Sequence, residues 1–128
     1  MTSLFDCFCD GKVACADRDL AARDLPWNPH PTFPGVALKH LVTGRDTDGS
    51  FSLHLVRLDP GKSIDAHTHA ASWELHQVLE GRGSCRLGGR ESAYGPGVGG
   101  VLPAGMEHSV QAGDEGLRLL AVFAPALL

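Results

Sequence analysis

Three histidines and a glutamate sit in two glycine-bounded stretches of this chain, and their spacing restricts the fold more than any other feature. The first stretch reads Gly61, five residues, His67-Thr68-His69, four residues, Glu74, six residues, Gly81; the second reads Gly97, five residues, Pro103-Ala104-Gly105, two residues, His108. Successive side chains of a strand point to opposite faces, so His67 and His69 are expected on one side of a strand, presenting two imidazoles to a single ion. Beyond a short turn, Glu74 opens the strand-like run Leu75 to Leu79. An antiparallel return there brings its carboxylate back beside the histidine pair. His108, distant in sequence, is the natural donor of a third imidazole.

Three imidazole nitrogens and one carboxylate oxygen suit a divalent transition ion (Fe, Mn, Ni, Cu or Zn) better than Ca or Mg, which prefer oxygen shells. A His-x-His pair alone also fits two polar residues on an exposed strand. The full string is more specific, because it adds glycines and a proline where barrel corners need a positive φ or a locked turn. It resembles the two motifs of the cupin family, and the resemblance spans roughly residues 35 to 124. One departure is Ala112, at a position where the family often carries asparagine and which does not bind metal in the family pattern. The resemblance implies a double-stranded β-helix, or jelly-roll, barrel and a homodimer.

The strand pattern points the same way. Val36 to Val42 and Phe51 to Leu58 are largely apolar runs, and the Asp48-Gly49 pair between them is a hairpin signal. Further candidate strands are Ser63 to His69, Trp73 to Leu79, Gly83 to Leu87, Gly99 to Leu102, His108 to Ala112 and Leu117 to Phe123. Short strands punctuated by glycine, with almost no helix, predict an all-β sandwich or barrel. At 128 residues and 43% hydrophobic the chain suffices for one core. We divide it into an irregular N-terminal arm, residues 1–34, and a barrel, residues 35–128. The arm allows one short helix between Asp6 and Arg23, while Pro26, Pro29, Pro31 and Pro34 preclude a regular element from Leu25 to Pro34. Gly95, Gly97 and Gly100 match Gly-x-Gly-x-x-Gly, but Val101-Leu102-Pro103 comes next where a dinucleotide loop needs a helix, so they read as barrel-corner glycines.

The formal net charge of −4, with the basic residues scattered, argues against nucleic acid as a partner. The lack of a long apolar stretch and of a basic, cleavable start argues against a membrane partner and for a cytoplasmic location. Cys7, Cys9, Cys15 and Cys85 fit neither a disulfide framework nor a zinc ribbon and read as free thiols, with a soft-metal or redox patch of the first three as the alternative. The apolar C-terminal run Leu117 to Leu128 is expected to be covered, by a second copy or by its own barrel.

The chemistry beyond the ligands rests on period two. If Glu74 faces the barrel interior, so do His76 and Val78, which makes His76 the candidate acid/base or supporting group. His54, Arg57, Tyr94 and Trp73 are weaker candidates for the pocket, and His30 and His40 read as surface or structural residues. Three histidines and a carboxylate on a six-coordinate ion leave two open positions. The leading expectation is therefore a metal-dependent enzyme acting on a small organic molecule by dioxygenase chemistry. A metal-dependent lyase or isomerase, or a non-catalytic ligand-binding or sensor protein, is the alternative.

Overall fold

The computed structural model describes residues 2–128. Its hub is the last strand. The elements run α1 (Leu4–Asp10), β1 (Lys12–Ala14), β2 (Asp19–Ala21), a 3-10 turn (Ala22–Asp24), β3 (Asn28–Pro29), β4 (Val36–Val42), α2 (Gly44–Thr47), β5 (Ser52–Leu58), β6 (Ser63–His67), β7 (Trp73–Leu87), β8 (Arg90–Tyr94), β9 (Gly99–Leu102) and β10 (His108–Ala124). β10 pairs antiparallel with β5 through Leu117–Phe123, with β6 near His108, and with β7 along most of its length. The main sheet has the order β3-β4-β5-β10-β7-β8, with β6 added on β10 and β9 on β7. This is the expected all-β jelly-roll barrel.

Two pairs of expected strands are each one continuous strand. Trp73–Leu79 and Gly83–Leu87 merge into β7, and His108–Ala112 and Leu117–Phe123 merge into β10. Gly81 and Gly116 lie within them at φ +82° and +80°, so each bends its strand without ending it. A Cβ on Gly81 would collide with the Gly116 carbonyl, so the two bends also touch. β8 has no counterpart among the expected strands, since Arg90 to Tyr94 has no apolar alternation to announce it. The β4–β5 hairpin forms, yet its connection is the single turn α2. Thr43 and Asp46 cap that turn reciprocally, and Asp48 closes it at φ 52°.

Alternate residues of these strands fill the interior. Val36, Val56, Leu58, Val78, Val110, Leu119 and Phe123 form one buried cluster; Phe5, Ala22, Leu41, Val42 and Leu55 form another beneath α1. Each fully buried Leu or Val contributes about 1.5–3 kcal/mol relative to an exposed one, so the fold draws its stability from this apolar interior.

The residues before β4 are tied down at several points. Ser3 and Asp6 form a capping box on α1, and Phe5 packs against Trp27 at 5.9 Å between ring centroids. Asn28–Pro29 pairs with β4 at the edge of the sheet, where proline's missing N–H costs no ladder bond. The C-terminus turns back on its own barrel: Leu127 N donates to Ser52 Oγ at 2.9 Å, Ala126 N to the Gly49 carbonyl at 3.0 Å, and Ser72 Oγ to the Pro125 carbonyl at 2.9 Å. No helix among the described residues is long and apolar enough to cross a membrane.

Candidate metal centre

Inside the barrel the imidazoles of His67, His69 and His108 converge, with one ring nitrogen of each within 4.8 Å of the others. The route differs in one respect from strand periodicity. β6 ends at His67, so His69 lies in the loop beyond it, where its carbonyl accepts a bond from Gly105 N at 2.9 Å. That bond joins the first glycine-bounded stretch to the second. His108 opens β10 directly opposite His67, and their ring centroids are 4.3 Å apart. Glu74 enters from β7, its Oε1 3.4 Å from His108 Nε2 and 3.7 Å from His69 Nε2.

Hydrogen bonds behind the rings fix which nitrogens face inward. His67 Nδ1 donates to the Asp65 carbonyl at 2.8 Å and His108 Nδ1 to the Met106 carbonyl at 3.1 Å. Each Nε2 is thereby left as a bare lone pair, the form that ligates a metal. Burial pushes His67 and His69 below the ordinary histidine range, which keeps both rings neutral.

The inward atoms test whether an ion fits. Glu74 Oε1 and His108 Nε2 are buried and have no hydrogen-bond partner among the described residues. With Nδ1 protonated, His108 meets the carboxylate lone pair to lone pair at 3.4 Å. Two buried acceptors facing each other are costly unless something positive lies between them. A divalent ion with ligands at about 2.0–2.2 Å would satisfy both, so the donor set of three imidazoles and one carboxylate fits a divalent transition metal.

Glu74 is held from behind as well. Its Oε2 lies 2.7 Å from His76 Nε2, and His76 Nδ1 lies 2.9 Å from the Tyr94 hydroxyl. Burial acts to raise the Glu74 pKa, but the bond to His76 and its charge act against it and hold the carboxyl below the usual carboxylate range. For His76 burial works downward, and the adjoining Cys85 and Glu74 outweigh it, raising the ring to about 9. His76 is therefore in the interior, as period two anticipates, with both ring nitrogens engaged.

The weaker candidates fall elsewhere. Arg57 lies over the Trp27 ring at 4.4 Å, and Trp73 is exposed on the outer surface. His54 is buried behind Phe123, with Nδ1 2.7 Å from His40 Nδ1 and Nε2 2.8 Å from Ser52 Oγ. Tyr94 reaches the site only through His76. Among the described residues Cys7, Cys9 and Cys15 form no convergent metal-ligating group, and all four thiols are free.

A cavity of about 90 Å³ opens beside the histidines, with Leu38, Ile64, Leu119 and Phe123 on its apolar wall. Two of its lining residues lie outside both the glycine-bounded stretches and the strands: His30, from the segment before β4, and Leu127, from the C-terminal tail. No local sequence signal marks either, because long-range packing brings them there. A larger apolar cleft of about 300 Å³ lies under α1, lined by Leu4, Phe8, Leu41 and Leu53 among others, and holds none of these histidines.

Comparison with known proteins agrees with this architecture. The family model described as "Cupin domain" matches residues 54–123, more than half of the chain. A curated relative, the dimethylsulfoniopropionate lyase DddW of Ruegeria pomeroyi, is 28% identical over 141 aligned positions, covering 98% of this chain and 91% of that protein. Among solved structures, a predicted oxalate decarboxylase from Thermotoga maritima superposes with a TM-score of 0.73 at 22% identity, over 80% of this chain and 95% of that one. An RmlC-like cupin from Shewanella frigidimarina gives 0.70 at 17% identity, over 82% and 87%. With the jelly-roll, the convergent three-histidine cluster and a family match across the strands that carry it, the chain belongs to the cupin family.

Proposed function

We propose that this cupin is a metal-dependent lyase acting on a small carboxylate such as dimethylsulfoniopropionate, with His67, His69, Glu74 and His108 holding a divalent transition ion. The observation that carries the metal assignment is the buried, partnerless pair Glu74 Oε1 and His108 Nε2. The lyase assignment is supported by the near full-length likeness to DddW. Neither DddW nor the two solved structures named above is described as a dioxygenase.

An ion held there would supply Lewis acidity toward a substrate oxygen. The chain's own residues do the rest. The bonds from His67 to Asp65 and from His108 to Met106 hold those rings with their lone pairs inward. His76 keeps Glu74 ionised and aimed, as a positioning residue acting through the carboxylate. The apolar wall of Leu38, Ile64, Leu119 and Phe123 excludes water and accommodates alkyl groups. With dimethylsulfoniopropionate, elimination removes a proton from the carbon next to the carboxylate and releases it to solvent. The carbon–sulfur bond breaks with its electron pair going to sulfur, leaving dimethyl sulfide and acrylate.

Purified metal-loaded protein given dimethylsulfoniopropionate should release dimethyl sulfide and acrylate in equal amounts, without oxygen uptake, and should stop when the metal is chelated. Oxygen consumption would restore the dioxygenase reading. Retained metal with no turnover would favour a non-catalytic ligand-binding protein.

A homodimer is part of the same proposal. Leu75 and Val101 pair across β7 and β9, and with Trp73 they form an outer apolar strip, 46%, 59% and 54% exposed. A second copy would cover such a strip. Sedimentation should give a dimer for the native chain and a monomer for Val101→Glu.

A further inference from the structure

His30 lies outside both glycine-bounded stretches and outside the matched family span, yet its ring lines the metal cavity beside His67 and His69. Its orientation is fixed locally. Thr32 N and Phe33 N both donate to His30 Nδ1, at 3.0 and 3.2 Å, and His30 N donates to the Val36 carbonyl at 2.8 Å. The ring stacks on Phe33 at 4.6 Å, and Phe33 in turn tilts against His67 at 6.0 Å. The turn that begins at Pro31 thus clamps the imidazole on two sides.

The clamp also settles the tautomer. A nitrogen that accepts two backbone N–H bonds carries no hydrogen, so the ring proton of His30 resides on Nε2. That N–H has no partner among the described residues. Structural duty at the turn is discharged by Nδ1 alone. The second nitrogen is a donor of fixed identity, on a ring bordering a cavity whose other polar groups are the His67 lone pair, His69, the Glu74 carboxylate and His76, and both nitrogens of His76 are already engaged by Glu74 and Tyr94. An anionic substrate oxygen there finds a protein donor only if one is brought in from outside the ligand set.

We infer that His30 is a specificity residue: its Nε2–H binds the carboxylate of the small molecule held at the metal centre. The inference rests on the metal-centre reading of the cavity; it does not require that the reaction be an elimination. Hydrogen bonds to charged groups are stronger than neutral ones, so losing this donor should weaken carboxylate binding about tenfold or more, with the metal left in place.

The test uses full-length, zinc-loaded protein with propionate as the probe. Long-range ¹⁵N–¹H spectra of histidine-labelled protein should show His30 with Nδ1 bare and Nε2 protonated, and propionate should shift the Nε2 resonance. Calorimetric titration should give a propionate Kd about tenfold weaker for His30→Phe than for the native chain, at equal zinc content. Should His30→Phe disturb the turn, His30→Asn retains an acceptor for the Thr32 and Phe33 amides as an Asx turn while its side chain is too short to present the donor. It should show the same weakening. A proton on Nδ1, an unmoved Nε2 resonance, or native affinity in both variants would overturn the inference while leaving the metal centre intact. Zinc lost from both variants would overturn it too, by making His30 part of metal retention. Native protein that takes up no zinc would overturn the metal-centre reading and this inference with it, whereas zinc uptake and His30-dependent propionate binding without dimethyl sulfide release would overturn the lyase assignment alone.

Discussion

His76 Nε2 lies 2.7 Å from Glu74 Oε2, while the other carboxylate oxygen, Oε1, faces His108 with no partner. One histidine thus commits half of the carboxylate and leaves the other half for an ion. Groups that orient metal ligands in this way typically govern affinity about 10- to 100-fold. His76→Ala should therefore weaken metal binding by about that factor in competition with a chromogenic chelator. His76→Gln, which can still donate to Oε2, should recover part of it. Equal affinity in all three proteins would remove His76 from the support of Glu74.

The ligands themselves should separate metal binding from folding. The apolar clusters do not depend on the ion, so His67→Ala and His108→Ala should fold. An ion at a thousand times its Kd stabilises the native state by about 4 kcal/mol, which in a domain of this size raises the melting temperature on the order of ten degrees. Calorimetric scans should show that rise for the native chain and not for either variant. A full metal-induced rise in His108→Ala would mean that the ion sits elsewhere.

How far the sequence discloses this site depends on which residues act locally. His67, His69, Glu74 and His108 are legible as a group because fixed spacings and strand alternation converge them, and they do meet. The alternation argument still misplaces His69, which lies past the end of β6 and is held by Gly105. Gly81 and Gly116 look like strand ends because glycine is the common punctuation of loops, but here each bends a strand that continues. Of Gly95, Gly97 and Gly100, all read as corner glycines, only Gly97 has a positive φ, +88°. The other two are small for steric reasons: a Cβ on Gly95 would crowd the Arg82 guanidinium, and one on Gly100 would strike the Tyr94 hydroxyl. His30 and Leu127 enter the cavity through contacts that span most of the chain, and no window of sequence contains them.

The buried His54 should leave a signature in acid. Burial and the facing His40 lower its pKa to about 4, with Glu74 acting weakly in the opposite sense. Above pH 6.5 the ring is neutral whether the chain is folded or not. Below that, the unfolded chain takes up a proton that the folded one refuses until about pH 4. Stability of the metal-free protein therefore falls as pH drops from 6.5 to 4, by up to about 3 kcal/mol from this residue. His40, also lowered by burial, adds in the same direction. Urea denaturation at intervals across this window should show the slope, and His54→Gln should flatten it. An unchanged slope in His54→Gln would assign the acid sensitivity to other groups.

The contact between Gly100 and Tyr94 links an outer strand to the metal centre. Gly100 sits on β9 opposite His76 of β7, and the space its missing side chain leaves is filled by the Tyr94 hydroxyl. That hydroxyl is 2.9 Å from His76 Nδ1, and His76 in turn holds Glu74. Gly100 lies in ordinary extended backbone, so alanine brings no φ penalty and acts through the collision alone. Tyr94 is 3% exposed and packed, so it can yield only by moving its ring. Gly100→Ala should therefore break the Tyr94–His76 bond and weaken metal binding several-fold, in the same direction as His76→Ala. It should also destabilise the fold by about 1–3 kcal/mol, the usual cost of overpacking. Tyr94→Phe, combined with Gly100→Ala, separates the two effects: with the hydroxyl gone the collision is relieved, so stability should largely return while metal affinity stays reduced. Native metal affinity in Gly100→Ala would show that Glu74 keeps its aim without Tyr94.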